Sequence, residues 1–427
     1  MLFNFQKKLI LILVYCTCCI CTEVGAQSPI RAQSFALADL LDAAALTYPS
    51  LVAARIEARA ANEDLSATER IRWPTVSATV ESYSGNLRSY PSRAVQVDQT
   101  LWDGGRNSAR ISESEVLANI SLLKVYMQQQ DLFLQMVAAW QSMISSRERV
   151  KVAQLTLARL EDYQKKMLRR VEAEASPRID LELVDARLLQ TQVELTASLS
   201  SLQVAVMRLE QFSGEVGLLG RISGAVYPLT LIETQSIANQ LSHTDWKNVA
   251  NEHPASAKAR LEVLQMRRRL DAKQAEAYPQ VFVRVYKPVG TIPSSTDTTT
   301  TTFLGMRYTP GAGFSNLLEA QAIATRITGS EQAVGAVIRE IQQNLQNDHE
   351  ELINARSRIA ALEKSVASSD QVLESYQRLF QAGRKQWHDL LNQVRELAQN
   401  QYALADAQAA MVGAMYRVQI RMHQNIQ

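Results

Sequence analysis

Between Ala94 and Val116 the chain reads AVQVDQTLWDGGRNSARISESEV, and its hydrophobic period changes partway. Val95, Val97, Gln99 and Leu101 take alternate positions, the two-residue period of a strand. After Asp103-Gly104-Gly105 the pattern turns helical and runs on with almost no Gly or Pro. These long stretches keep a 3-4 spacing, which holds one seam of a helix against its partners. Val150, Ala153, Leu157, Leu160, Gln164, Met167 and Val171 step down to Ser176-Pro177. Leu181, Val184, Leu188, Thr191, Leu195, Ser198, Leu202, Ala205, Leu209 and Phe212 step back. A second series runs from Ile338 through Ile341, Leu345, Asp348, Leu352, Ala355 and Ile359 to Phe380, and returns from Val394 to Val418 beyond Gly383. The spacing predicts two antiparallel helical hairpins, about 105–212 and 314–421, with arms about 100 Å long at 1.5 Å per residue.

The chain states its plan twice. Pro49 stands 25 residues before Pro74, and Pro254 stands 25 residues before Pro279. Each second proline follows an aromatic, Trp73 or Tyr278, and opens an alternating β-branched run. A polar loop, a second alternating run, a Gly-rich turn and a very long helix follow in both places. The order predicts two tandem repeats, 27–212 and 235–421, around a linker at 213–234, with 422–427 as a tail. Each repeat carries a helix, a β-hairpin (about 74–103 or 279–309) and a helical hairpin.

The strands set the environment. Val76, Ala78 and Val80 oppose Thr75, Ser77, Thr79 and Glu81, and Val281, Val283 and Val285 oppose Gln280, Phe282, Arg284 and Tyr286. Leu304, Met306 and Tyr308 oppose Gly305 and Arg307. One apolar face and one wet face, at lengths that match a bilayer, is the pattern of an outer-membrane barrel. Trp73, Trp102, Tyr278 and Tyr308 stand near strand ends, where amphipathic rings favour the membrane interface. Gly104, Gly105, Gly311 and Gly313 are the expected strand-to-helix turns. Four strands cannot close, and open edges in lipid leave backbone groups unpaired at several kcal/mol each. Other copies must complete the wall: eight strands leave an interior filled by side chains, twelve leave a passage. The fold class is therefore a mixed α+β membrane protein, a barrel shared between copies and continuous with a long coiled-coil tube in the periplasm, and an open conduit favours the twelve strands of a trimer.

Composition narrows the alternatives. The 427 residues are 46% hydrophobic and 21% charged, with 6% aromatics and 16 glycines, which argues against an ordinary sandwich or sugar-binding domain. No internal run reaches the roughly 18–20 apolar residues of a spanning helix. Lys7-Lys8, the apolar run Leu9–Ile20 and the small residues before Gln27 read as a signal peptide, residues 1–26. All four cysteines, Cys16, Cys18, Cys19 and Cys21, fall inside it, so the mature chain is expected to be thiol-free. Removing Lys7, Lys8 and Glu23 leaves 43 basic against 42 acidic residues, no basis for a nucleic-acid partner. His243, His253, His349, His388 and His423 lack zinc-ligand spacing, and Asn316 in GAGFSN stands where a dinucleotide loop needs its third glycine. His388 beside Asp389 is a candidate pH-sensitive tip residue, and Thr298–Thr302 reads as an extracellular loop. No catalytic residues, metal ligands or cofactors are expected.

With these features the chain resembles the TolC-like outer-membrane factors, the exit ducts of type I secretion and drug-efflux machines. The likeness rests on the two proline-spaced repeats, on LWDGGR at Leu101–Arg106, and on the turn YQRLFQAGRKQWHDLLNQV. It implies a homotrimer in outer-membrane lipid, without enzymatic activity, driven by an inner-membrane ABC transporter or efflux pump through a periplasmic adaptor. Gly383 and Asp389 keep the family's six-residue spacing at the tip. The adaptor would then grip Ala382, Gly383 and Arg384, and at the first tip Ala173, Glu174 and Ala175. There the usual glycine turn is replaced, and this half reads about four residues longer. The resemblance also implies a periplasmic gate in which Asp180 accepts from Lys385, Phe380 takes the aromatic position, Asp389 forms an acidic ring and Asn392 leaves the second ring uncharged. The stretches EASPRIDLEL and RYTPGAGFSN resemble adhesin-exporting members, favouring type I secretion. Small-molecule efflux is the alternative, and a pore-free periplasmic scaffold the alternative of another class.

Overall fold

The computed structural model describes residues 37–84, 89–224, 241, 244–289, 299–309 and 311–422. The expected signal peptide, residues 225–234 of the linker, His243 and His423 lie outside these described residues. The first repeat comprises α1 (Leu37–Thr47), α2 (Pro49–Glu69), a 3-10 turn (Arg70–Arg72), β1 (Thr75–Ser84), β2 (Ser89–Trp102), α3 (Arg106–Glu172), α4 (Arg178–Ser213) and α5 (Leu218–Gly224). The second comprises α6 (Trp246–Glu252), α7 (Pro254–Ala275), β3 (Gln280–Pro288), β4 (Thr301–Arg307), a 3-10 turn (Ala312–Phe314), α8 (Ser315–Gln381) and α9 (Trp387–Arg421). Thr301 and Thr302 belong to β4, so the threonine run is not wholly a loop as its polarity suggested.

Pro49 and Pro254 open α2 and α7 at the first helical position, where a missing N–H costs nothing. Both long arms, α3 and α8, are 67 residues, so position n in the first matches n + 209 in the second. The extra residues expected in the first half are absent from the arms. The offset is 205 at Pro74 and Pro279, so the four-residue difference falls in the second β-hairpin.

The four strands make one antiparallel sheet in the order β1-β2-β3-β4, and the β2–β3 pairing joins the repeats. Val76 pairs with Val97, Val97 with Val285 and Val285 with Thr302, so the valines share one face. That face is bare: Val76 is 68% exposed and Val80 72%. The other face is polar and satisfied within itself. Arg284 donates from Nε to Asp98 Oδ1 at 2.5 Å and from Nη2 to Oδ2 at 2.9 Å, and Gln280 donates to Thr100 Oγ1 at 2.8 Å. A register shift between Thr100 and Trp102 puts Trp102 on the valine face opposite Val281. Among the described residues, β1 and β4 pair with strands on one side only.

Below the sheet the helices form a single layer. The first half of α3 packs on α2 and α7, its second half on α4 and α9, and α8 packs on α7 and then α9. The helices on either side are spliced end to end. Thr47 Oγ1 at the end of α1 donates to the Ser213 carbonyl at the end of α4 at 3.2 Å. Gln130 of α3 bridges the start of α7 and the end of α9, with Nε2 3.2 Å from His253 Nε2 and 3.3 Å from the Ile420 carbonyl. Leu37, Leu40, Leu51, Met136, Trp140, Met143 and Leu209 fill the first splice. Among the described residues no single helix is long and apolar enough to cross a membrane.

One heptad position breaks the apolar rule. Asp348, between Leu345 and Leu352 in the seam of α8, is buried. Arg417 of α9 donates from Nε to Oδ1 at 2.8 Å, and Arg421 Nε lies 2.8 Å from Oδ2 as an ion pair without hydrogen-bond alignment. Arg417 also reaches Glu351 at 2.6 Å and Gln141 of α3 at 3.0 Å. Gly413 makes room for that glutamine, since a Cβ there would meet Gln141 Oε1. Asp348→Ala leaves two arginines facing a void, so a loss of roughly 3 kcal/mol is expected in denaturant unfolding. Asp348→Ala with Arg417→Met should recover part of it.

Candidate functional site

Two regions carry the candidate residues: the junctions between strand and helix, and the far tips of the helical hairpins. At the first junction the Asp103 carboxylate accepts from the backbone N–H of Gly105 at 3.1 Å and of Asn107 at 2.9 Å, closing the turn. Gly104 and Gly105 are left-handed (φ +67° and +90°), and a Cβ on Gly104 would lie 2.8 Å from Tyr278 Cβ. By the 209-residue offset their counterparts are Gly313 (φ +59°) and Phe314 (φ +62°). Phe314, a non-glycine in that conformation, was not legible from the glycine pattern. Gly311 (φ +82°) precedes the 3-10 turn instead.

Trp73, Trp102, Tyr278 and Tyr308 all gather at this end of the sheet and all are exposed. Trp102 meets Tyr278 edge-on with ring centroids 6.1 Å apart. Phe314, Leu317 and Leu318 extend the exposed apolar belt onto the first turn of α8, a continuation that sequence reasoning missed. The signal was present in FSNLL, placed directly after the turn.

The two tips are the same turn. At the first, Ala175 N–H donates to the Arg170 carbonyl and Glu174 N–H to the Val171 carbonyl. At the second, Arg384 N–H donates to the Leu379 carbonyl and Gly383 N–H to the Phe380 carbonyl. This paired bonding is the Schellman ending of a helix, and it needs a left-handed residue. Gly383 supplies it at φ +73°; Glu174 supplies it at φ +56°. Glu174 therefore occupies the place of the expected glycine, six residues before Asp180 as Gly383 is before Asp389. Ala173, Glu174, Ala175, Ala382, Gly383 and Arg384 are all exposed.

The gate candidates sit just behind. Lys385 lies 3.1 Å from Asp389 Oδ2, one helical turn away, and 4.5 Å from the centroid of the Tyr376 ring. The hydrogen bond to Asp389 holds its ammonium above the ordinary lysine range. Within the protomer the expected Asp180–Lys385 link is thus not made: Lys385, in the turn before α9, pairs with Asp389 in that helix's first turn. Asp180 contributes its carbonyl instead, accepting from Trp387 Nε1–H at 3.0 Å. Phe380 is half-buried rather than free to project, stacked on Trp387 at 5.0 Å with the Arg170 guanidinium 5.0 Å over its ring. Asn392 is half-buried and His388 exposed. Trp387 itself, 5% exposed, sits among Tyr163, Met167, Val184, Leu373 and Leu390. Sequence reasoning overlooked it, although a tryptophan in a hairpin turn is signal enough.

The remaining histidines have structural roles. His253 Nδ1 accepts from the Ala255 N–H at 3.1 Å to cap α7, and His349 is buried against Trp246. Among the described residues no cluster of His, Cys, Asp or Glu could hold a metal ion.

Residues 40–215 match the model of the outer membrane efflux protein family. No curated protein matches the sequence. Solved structures share the fold across nearly the whole chain. A membrane protein from Pseudomonas aeruginosa aligns with TM-score 0.77 at 15% identity, covering 90% of this chain and 89% of its own. The outer membrane protein VceC from Vibrio cholerae gives 0.76 at 14% identity, covering 91% and 96%. The open-state outer membrane channel MtrE from Neisseria gonorrhoeae gives 0.73 at 14%, covering 90% and 88%. The TolC-like resemblance therefore holds for the fold, a four-stranded sheet at one end of a long helical layer.

Two measurements test the tip. A non-glycine left-handed residue costs about 1 kcal/mol, so Glu174→Gly should stabilise the detergent-solubilised protein by up to that amount in chemical denaturation, and Gly383→Ala should destabilise it similarly. Burial pushes the Tyr163 phenol above its usual 10.0. Its contribution to stability is thus complete below pH 10.0 and falls as pH rises through the raised value. The ultraviolet titration difference between wild type and Tyr163→Phe should lie above pH 10; a midpoint at or below 10 refutes the burial.

Proposed function

We propose that this TolC-like outer-membrane protein is the exit duct of a tripartite export system, a homotrimer whose twelve strands close one barrel over a twelve-helix tunnel. Substrate enters at the periplasmic tips from an inner-membrane ABC transporter, relayed by a periplasmic adaptor, and crosses passively. The observation that carries this reading is the sheet. Its valine face is exposed on the outer strand, its other face pairs Arg284 with Asp98 and Gln280 with Thr100, and among the described residues both outer strands lack a neighbour. A scaffold working wholly in the periplasm gives that apolar face no use. A lipid bilayer does, and three copies satisfy every edge.

The tip residues Ala173, Glu174, Ala175, Ala382, Gly383 and Arg384 are the proposed adaptor contact, and Asp180, Phe380, Lys385, Asp389 and Asn392 the proposed mouth. Asp389 is offset by Lys385, and Asn392 carries no charge. A mouth with little net negative charge holds cations weakly and retains no basic stretch of a passing chain. This favours a polypeptide substrate, as in type I secretion; small-molecule efflux is the second reading.

Reconstitution in planar bilayers should give discrete current steps from a species whose mass in detergent is that of three chains. A monomer without steps returns the scaffold. For the substrate, deletion of the gene should abolish export of a large secreted protein and leave drug susceptibility unchanged. Raised drug susceptibility with export intact transfers the assignment to efflux.

A further inference from the structure

At the tips of a protomer the two hairpins share an apolar cluster, Leu160, Met167 and Val184 of the first with Leu373, Leu390 and Leu391 of the second, and one side chain in it also hydrogen-bonds across. Trp387 is the first residue of α9, yet its indole lies on the first hairpin. It donates from Nε1 to the Asp180 carbonyl of α4 at 3.0 Å and meets Tyr163 of α3 edge-on with centroids 5.7 Å apart. Its outer side is covered by Phe380 at 5.0 Å, and Phe380 is covered in turn by Arg170 of α3 at 5.0 Å. Arg170 is itself fixed, donating from Nε to Ser176 Oγ at 3.0 Å within the first tip. The chain of contacts thus runs from hairpin two to hairpin one and back.

The clasp is one-sided. Position 178, the counterpart of Trp387 in the first hairpin, is Arg178, whose side chain is 85% exposed and pairs at 3.8 Å with Glu182 on its own helix. The two hairpins are equal in length and in turn geometry but not in this residue. An indole between two aromatic rings, bonded to a backbone carbonyl, has no charge to screen, so neither salt nor neutral pH weakens it.

We infer that Trp387 is the positioning residue of the periplasmic mouth: it holds the second hairpin against the first and so keeps the tip end narrow. Parting the two hairpins of a protomer requires withdrawing the indole from Tyr163 and the Asp180 carbonyl. The inference rests on the duct reading, which the wild-type currents test separately.

Trp387→Phe keeps a ring between Tyr163 and Phe380 and removes only the donated hydrogen bond. The open-to-closed ratio in single-channel records should rise roughly fivefold, the worth of one neutral hydrogen bond. Trp387→Ala removes the packing too and should shift the ratio roughly a hundredfold or more, which reads as a channel that no longer closes. Because the alanine variant risks losing the trimer, the phenylalanine variant decides. In hydrogen exchange its amides at Leu160–Met167 and Asp180–Val184 should exchange faster than wild type while the sheet is unchanged. Wild-type gating together with wild-type exchange in Trp387→Phe overturns the clasp. A wild type without current steps counts against the duct instead, and the exchange comparison still judges the clasp.

Discussion

Among the described residues β1 and β4 each keep one unpaired edge, the constraint from which the proposed architecture follows. A strand at the rim of a sheet presents a row of N–H and C=O groups, and hydrocarbon offers them nothing. Four strands with an apolar face cannot curl shut on so small a circumference. In the proposed assembly further copies supply the missing partners, and the apolar face then turns outward to lipid. The internal pairing of Arg284 with Asp98 and of Gln280 with Thr100 fits the same proposal, in which this face lines a wet interior.

The helical layer answers a different problem, how to extend about 100 Å from the sheet without losing register. Single helices of 67 residues supply the length for α3 and α8. The other positions are filled by splicing, with α7 lying over the end of α9 and α2 over the end of α4 through α1. Gln130, at the meeting of α7 and α9, satisfies groups that the helix ends leave open. Asp348 shows how register is kept below it. A buried carboxylate within an apolar seam tolerates only the alignment that brings Arg417 and Arg421 to it, so a slip by one heptad leaves three charges unanswered.

The near-identity of the two repeats makes their differences informative. The same Schellman turn ends α3 and α8, once with Gly383 and once with a strained Glu174. The same left-handed pair precedes both, once as Gly104-Gly105 and once as Gly313-Phe314. In each case backbone geometry is retained while the side chain that accompanies it changes. At the tips this places an acid on one hairpin and an arginine on the other, and at the neighbouring position a tryptophan on one and an arginine on the other. A duplicated fold thereby acquires inequivalent surfaces at the end where partners are proposed to dock.

Periodicity alone determined most of the architecture. The alternation of Val76–Val80 and Val281–Val285 marked strands with one apolar and one polar face, because each face of a sheet meets one solvent. The heptads running to Phe380 and back from Val394 marked hairpins because a seam must keep one face inward. The proline spacing exposed the duplication. What periodicity could not show was pairing between residues far apart in the chain. Only the tertiary structure decided that Lys385 is held by Asp389 rather than Asp180, that Phe380 packs inside the tip, that Glu174 takes a glycine's conformation, and that Trp387 crosses to the other hairpin. Each of these turns on distances of a few ångströms between separate elements, which a one-dimensional pattern does not contain, whereas the burial of a face is already written in its spacing.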